Sequence, residues 1–179
     1  MACEDADVYT LGFSNRTWKD TVEILDAFRI DRLVDVRTLP GSKKYPQFNI
    51  ENLSVELPKI GIEYIHKKDL GGFRKGPSQN DLNAGWRNES FRNYADYMQS
   101  PQFVAAVEEL IDLSGEKRTV YVCTEAVFWR CHRALISDAL LVRGIKPGHI
   151  FTQGKCEMHK MTKFAVVEGE SVTYPAQNA

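Results

Sequence analysis

The sequence predicts an α/β protein with a mainly parallel central sheet of about five strands, helices on both faces and a C-terminal hairpin. Three observations predict it. Short apolar runs rich in β-branched residues alternate with segments whose apolar residues recur at helical spacing. Turn-forming residues separate most of them. No repeat or low-complexity tract interrupts the alternation, which is the pattern of a parallel sheet covered on both sides.

The elements follow in order. Val8 to Phe13 reads as a first strand, closed by Ser14-Asn15. Thr17, with Asp20 three positions on, is placed to cap a helix whose stripe is Trp18, Val22, Leu25 and Phe28. Arg32 to Arg37 is a second strand, broken by Leu39-Pro40-Gly41-Ser42. Ile50, Leu53 and Leu57 mark a short helix ending at Pro58, and Ile62 to His66 a third strand. Phe91, Tyr94, Ala95 and Met98 form one helical stripe; after Pro101, Phe103, Val107, Leu110 and Ile111 form another. Thr119 to Val122 is a fourth strand, Arg130 to Arg143 a helix closed by Gly144, and His149 to Thr152 a fifth strand. Phe164 to Tyr174, centred on Glu168-Gly169, reads as a hairpin.

The bulk numbers bound the function. A chain of 179 residues and 20.4 kDa supports one well-buried core, so residues 1–179 are read as a single domain. With 23 basic and 24 acidic side chains the net charge is −1, so an anion site must arise from local clustering. The opening residues 1–7 are acidic where a signal peptide is basic and then apolar. The most apolar stretch, Ala134 to Val142, is interrupted by Ser137 and Asp138 and falls short of the ~18 apolar residues of a membrane span. Four cysteines without an export signal are expected to be reduced thiols, and the chain to be cytoplasmic, with no membrane association.

The segment 67–89 fits no period. Structureless loops of ~20 residues are uncommon in compact domains and usually functional. It carries Lys67, Lys68, Arg74, Lys75 and Arg87 with Phe73 and Trp86 between them, and reads as a mobile lid over an anionic ligand. The bland alternative is a solvated insertion with two anchoring aromatics.

Ligands of open α/β sheets sit beyond the carboxyl ends of the strands. There the chain delivers Ser14, Asn15 and Arg16 from strand one, Asp35 and Arg37 from strand two, His66 from strand three, and Cys123 and Glu125 from strand four. The following helix begins near Trp129-Arg130-Cys131-His132-Arg133. Cys123, facing a helix start and two arginines, is the expected nucleophile or thiol sensor; otherwise it is a small buried hydrophobe. Glu125 and His132 are candidates for general acid–base work. Ser14, Asp35, Arg37, Arg87 and Arg133 are the candidate substrate-binding residues. Cys131 shares a stripe with Leu135, Ala139 and Val142, so its default is burial.

Spacing tests the analogies. Phosphatase loops place five residues between cysteine and arginine, whereas six lie between Cys123 and Arg130, and rhodanese-type loops are tighter still. The likeness of Leu33 to Arg37 and of the Cys123 strand and helix to a rhodanese layout is architectural. A structural zinc would draw on Cys123, Cys131, His132 and His159, but no paired C-x-x-C exists, so no metal is assigned and no cofactor is required. Arg74, Lys75, Arg87 and Arg92 with Phe73, Trp86 and Phe91 are the mix single-stranded nucleic acid favours, which makes a nucleic-acid binding module the non-enzyme reading.

Taken together and in order, several segments resemble domain-of-unknown-function family 488. They are Thr10 to Arg16, Val34 to Arg37, Tyr45 to Asn49, Leu70-Gly71-Gly72, Gly85 to Asn88, Phe91 through Met98, Cys123 to Ala126 and Trp129 to Arg133. The family's Cys-x-Glu … Cys-His-Arg signature falls on Cys123, Glu125, Cys131, His132 and Arg133. The tail residues His159, Thr162 and Tyr174-Pro175 are also similar. Phe128 stands where a proline is common, and Cys156 lies outside the pattern. The resemblance implies a compact α/β domain with a Cys/Glu/His/Arg site and brings no reaction. The leading expectation is an enzyme acting on a small anionic, nucleotide- or phosphate-bearing substrate. The alternatives are a nucleic-acid or nucleotide binding module, and a rhodanese-like sulfur-transfer or metal-binding protein.

Overall fold

The computed structural model describes residues 3–177. The first two residues of the acidic opening segment lie outside the described residues. Five strands run parallel: β1 (Val8–Gly12), β2 (Arg32–Asp35), β3 (Glu63–His66), β4 (Thr119–Cys123) and β5 (Pro147–Thr152). An antiparallel edge strand, β6 (Lys155–Met158), completes a six-stranded sheet of order β3-β2-β4-β1-β5-β6. Sequence reading missed β6 because it is only four residues long and none of its side chains is fully buried. The C-terminal hairpin is present as β7 (Val166–Glu168) and β8 (Ser171–Thr173).

Three of the four inner strands, β1, β2 and β4, are buried at every position, as strands covered on both faces of a parallel sheet are. Their alternation divides the core. Tyr9, Leu11, Leu33, Val120 and Val122 face helices α1 (Trp18–Ala27) and α2 (Ile50–Lys59). Val8, Val34, Tyr121 and Cys123 face α3 (Glu89–Tyr97), α4 (Pro101–Glu116) and α5 (Arg133–Leu141). Thr17 caps α1 by accepting from the Asp20 N–H at 3.0 Å, the contact its sequence position predicts. Asn88 and Ser100 do the same for α3 and α4.

The expectation of four reduced thiols is corrected. Cys3 and Cys156 form a disulfide with Cα atoms 5.8 Å apart. They are 153 residues apart in sequence, and only the pairing of β6 with β5 brings Cys156 under the N-terminal turn. That bond removes the thiol argument for a cytoplasmic setting. No helix among the described residues is long and apolar enough to cross a membrane.

Candidate functional site

After β1 the chain passes through α1 toward β2, on one side of the sheet order; after β4 it passes through α5 to β5, on the other. The carboxyl ends of β1 and β4, adjacent in the sheet, therefore form the topological switch point where such folds open a crevice. The loop 124–131 crosses this point against the end of β1. Gly12 permits it, since a Cβ there would overlap the Glu125 carbonyl.

Cys123 ends β4, and Cys131 precedes α5, after a 3-10 turn over Phe128–Arg130. Their sulfurs are 3.0 Å apart and share a hydrogen bond. The Arg133 backbone N–H donates to the Cys131 sulfur at 3.4 Å, so that sulfur sits where a helix N-terminus favours negative charge. Burial alone would raise the Cys131 thiol; the hydrogen bond with Cys123 and the charge and N–H of Arg133 outweigh it and bring it down to about 6. Cys123 moves the opposite way, pushed up to about 12 by its bond to Cys131 and then by burial, with His132 opposing. Cys131 is thus the sulfur driven toward the thiolate and Cys123 the one driven away from it.

His132 lies beside the pair. Its Nδ1 is 3.5 Å from the Cys131 sulfur and its Nε2 is 2.7 Å from the Val36 carbonyl. A carbonyl only accepts, so Nε2 carries the hydrogen and, in the neutral ring, Nδ1 turns a lone pair to the sulfurs. The loop after β3 covers this ring closely: a Cβ at Gly72 would come within 2.6 Å of Nδ1. Two adjoining hollows, of about 280 and 380 Å³, open over the site. They share Gly72, Phe73, Cys123, Thr124 and His132; Cys131, Glu125 and Arg130 line one, Arg37 and Leu39 the other. A larger hollow of about 410 Å³ lies at the amino ends of β2 and β3, among Asp26, Arg29, Asp31 and Gly61, and holds no nucleophile.

Arg133 is 1% exposed. Its guanidinium donates to Thr10 Oγ1 at 3.0 Å and to the Glu125 carbonyl at 2.7 Å, and its Nε has no partner. Beyond Thr10 a buried polar series continues: His149 Nδ1 at 2.8 Å from Thr10 Oγ1, His159 Nδ1 at 2.8 Å from His149 Nε2, and Asp138 Oδ1 at 2.7 Å from His159 Nε2. Asp138 also accepts from the Tyr174 hydroxyl and the Thr162 N–H. Phe128 stacks on His149 with ring centroids 3.6 Å apart. Burial, helped by His159 and Arg133, holds His149 down to about 2.

The sequence-predicted residues separate into groups. Cys123, His132 and Glu125 meet in the cleft, with the Glu125 side chain exposed and its carbonyl serving Arg133. Arg37 also lines the cleft, but its guanidinium is spent on Asp35 at 2.7 Å and on the Phe48 carbonyl at 2.6 Å. Asp35 is fully buried and also accepts from Tyr64, so the pair holds the end of β2. Ser14 stands at the end of β1 with φ +49°, outside both hollows. Arg87 is exposed and lines a separate hollow with Trp86, Arg92 and Pro77. Trp86 packs against Phe91, Phe164 and Tyr174, so its ring anchors the loop 67–89 instead of offering a stacking platform.

Of the four residues weighed for zinc, Cys123, Cys131 and His132 have donor atoms within 4.8 Å of one another, whereas His159 is committed to His149 and Asp138. Two sulfurs on a tetrahedral zinc, each at ~2.3 Å, would stand ~3.8 Å apart. At 3.0 Å the two sulfurs stand closer together than a shared zinc would hold them.

Sequence reading missed Cys131 as the more acidic sulfur, and missed Thr10, Asp138 and His149. An aspartate in the apolar run Ala134 to Val142 was the available signal, because a buried carboxylate requires partners.

No curated protein matches the chain. The model of a family described as Domain of unknown function DUF488 matches residues 17–140, which take in α1 through most of α5 and both cleft cysteines. That span is more than half of the chain, and the chain belongs to the DUF488 family.

Proposed function

We propose that this protein is a thiol enzyme in which Cys131 is the nucleophile and Cys123 the resolving thiol, acting by thiol–disulfide exchange on a small anionic substrate. The observation that carries the reading is the 3.0 Å contact between two sulfurs whose surroundings push them in opposite directions, Cys131 toward the thiolate and Cys123 away from it. This replaces Cys123 as the expected nucleophile. A thiolate is the attacking species, and lowering the Cys131 thiol below its ordinary value favours that form near neutral pH.

The step balances as follows. The Cys131 thiolate attacks one sulfur of a substrate disulfide, which breaks that S–S bond, releases the other half as a thiolate and leaves a mixed disulfide on Cys131. Cys123 then gives its proton to His132 Nδ1, and its sulfur attacks Cys131 Sγ. The retained half leaves as a thiolate and the Cys123–Cys131 disulfide closes. The substrate is reduced by two electrons and the dithiol oxidised; an external thiol reductant returns it to the starting state. Arg130 at the cleft rim supplies the charge that selects an anionic substrate, and the exposed Glu125 opposite it limits which anions fit.

The test is oxidation with diamide followed by thiol blocking and trypsin. Cleavage after Arg118, Arg130 and Arg133 separates the cysteines into peptides 119–130 and 131–133. The expected product is one disulfide-linked pair of these peptides, lost in Cys131→Ser and in Cys123→Ser. Oxidation that leaves both peptides unlinked would overturn the reading. A stoichiometric metal that prevents linkage until it is chelated would replace it with the metal-binding alternative.

A further inference from the structure

Arg133 presents an anomaly. It is a guanidinium at 1% exposure with no carboxylate in ion-pair contact among the described residues, and burying an unpaired charge is costly. Arg133 also gives its backbone N–H to the Cys131 sulfur at 3.4 Å, so how its guanidinium is held bears on that sulfur.

The polar series supplies that hold, and one arrangement of its hydrogens satisfies every member. Arg133 Nη1 only donates, so Thr10 Oγ1 accepts from it and has its own hydrogen free to give to His149 Nδ1. His149, kept neutral by its buried setting, then carries its hydrogen on Nε2 and donates to His159 Nδ1. His159 donates from Nε2 to Asp138 Oδ1. Every member gives in one sense, from a cation to a carboxylate, through three neutral groups. Asp138 is fixed in turn by the Tyr174 hydroxyl at 2.7 Å and the Thr162 N–H at 3.1 Å. Phe128 and the sheet exclude water from the middle of the series.

We propose that Thr10, His149, His159 and Asp138 form a one-way hydrogen-bonded strut that positions the Arg133 guanidinium against Cys131, so that Asp138, four links from Arg133, governs the reactivity of that thiol. They are positioning residues, since none of them touches the cleft. The inference rests on Cys131 being the reactive thiolate. The other titratable groups around that sulfur are Cys123 and Tyr121 from β4, Tyr94 from α3 and His132 from α5; Arg130, at the rim, adds a further charge. All of them are left unchanged in the variants below.

The experiment follows the pH midpoint of Cys131 alkylation by iodoacetamide, read by mass spectrometry of peptide 131–133, in the full chain. Thr10→Val is expected to raise the midpoint so that the apparent acid constant falls three- to tenfold, and Thr10→Ser to restore it. Asp138→Asn separates positioning from plain electrostatics. Removing a nearby negative charge through space would lower the midpoint, whereas losing the strut raises it. A wild-type midpoint near 6 with no upward shift in folded Thr10→Val or Asp138→Asn overturns the strut and leaves the thiolate reading standing. A wild-type midpoint near 9 overturns both. Should the variants fail to fold, long-range 1H–15N NMR of the wild-type protein decides. Hydrogen on Nε2 of both His149 and His159 is expected, and hydrogen on Nδ1 of either breaks the one-way sequence.

Discussion

The chain contains two cysteine pairs, and they differ in where their sulfurs are held. Cys3 and Cys156 meet at the sheet edge, bonded across 153 residues, with neither a helix N-terminus nor a guanidinium described at their sulfurs. Cys123 and Cys131 meet at the switch point, eight residues apart, on a helix start and beside a buried arginine. The first pair ties the N-terminal segment to an edge strand. In the second, one sulfur is driven toward the thiolate and the other away from it, the asymmetry on which the proposed dithiol chemistry rests. The surroundings of a thiol decide its chemistry, since the residue type is the same in all four.

That comparison can be broken at either pair. The largest effect is expected at the edge. Replacing both Cys3 and Cys156 by serine should cost about 2–5 kcal/mol of unfolding free energy, because the bond closes almost the whole chain into one loop. Denaturant melts measure it, and the Cys131 alkylation midpoint should not move. A shift in that midpoint would mean that the two pairs are coupled. The smaller effect belongs to the cleft. Cys123→Ala removes a hydrogen bond to a charged sulfur, worth about 1.5–3 kcal/mol, which corresponds to a rise of about one to two pH units in the Cys131 midpoint. A fall instead would show that the proton resides on Cys131 and that the roles are reversed.

The fold was legible where pattern and burial coincide. Val8 to Phe13, Arg32 to Arg37 and Thr119 to Val122 became the inner parallel strands, and the Glu168-Gly169 centre became the hairpin turn. Four-residue β6 was not, because a short edge strand carries too brief a pattern to read. The Cys123, Glu125 and His132 cluster was readable because strand ends in a parallel sheet converge whatever the intervening sequence. Cys131 was not, because its helical stripe argued for burial alone. It is indeed buried, and what singles it out is the Arg133 N–H and the neighbouring thiol, neither visible in a stripe. The tail residues His159, Thr162 and Tyr174 lie 21, 24 and 36 residues beyond Asp138, yet all three close on its carboxylate. Arg37 looked like an anion ligand from its strand-end position, but Asp35 two residues earlier had already claimed its guanidinium.

The most direct test of the account is the pH dependence of alkylation at each free cysteine in the wild-type protein, followed peptide by peptide. Rates alone discriminate poorly, since a more acidic thiol is also a weaker nucleophile. The midpoints do not share that defect. The account predicts that Cys131 titrates near pH 6 while Cys123 stays unreactive until strongly alkaline pH. Titration of Cys123 first, or of both sulfurs near the ordinary thiol value of ~8.5, would contradict it.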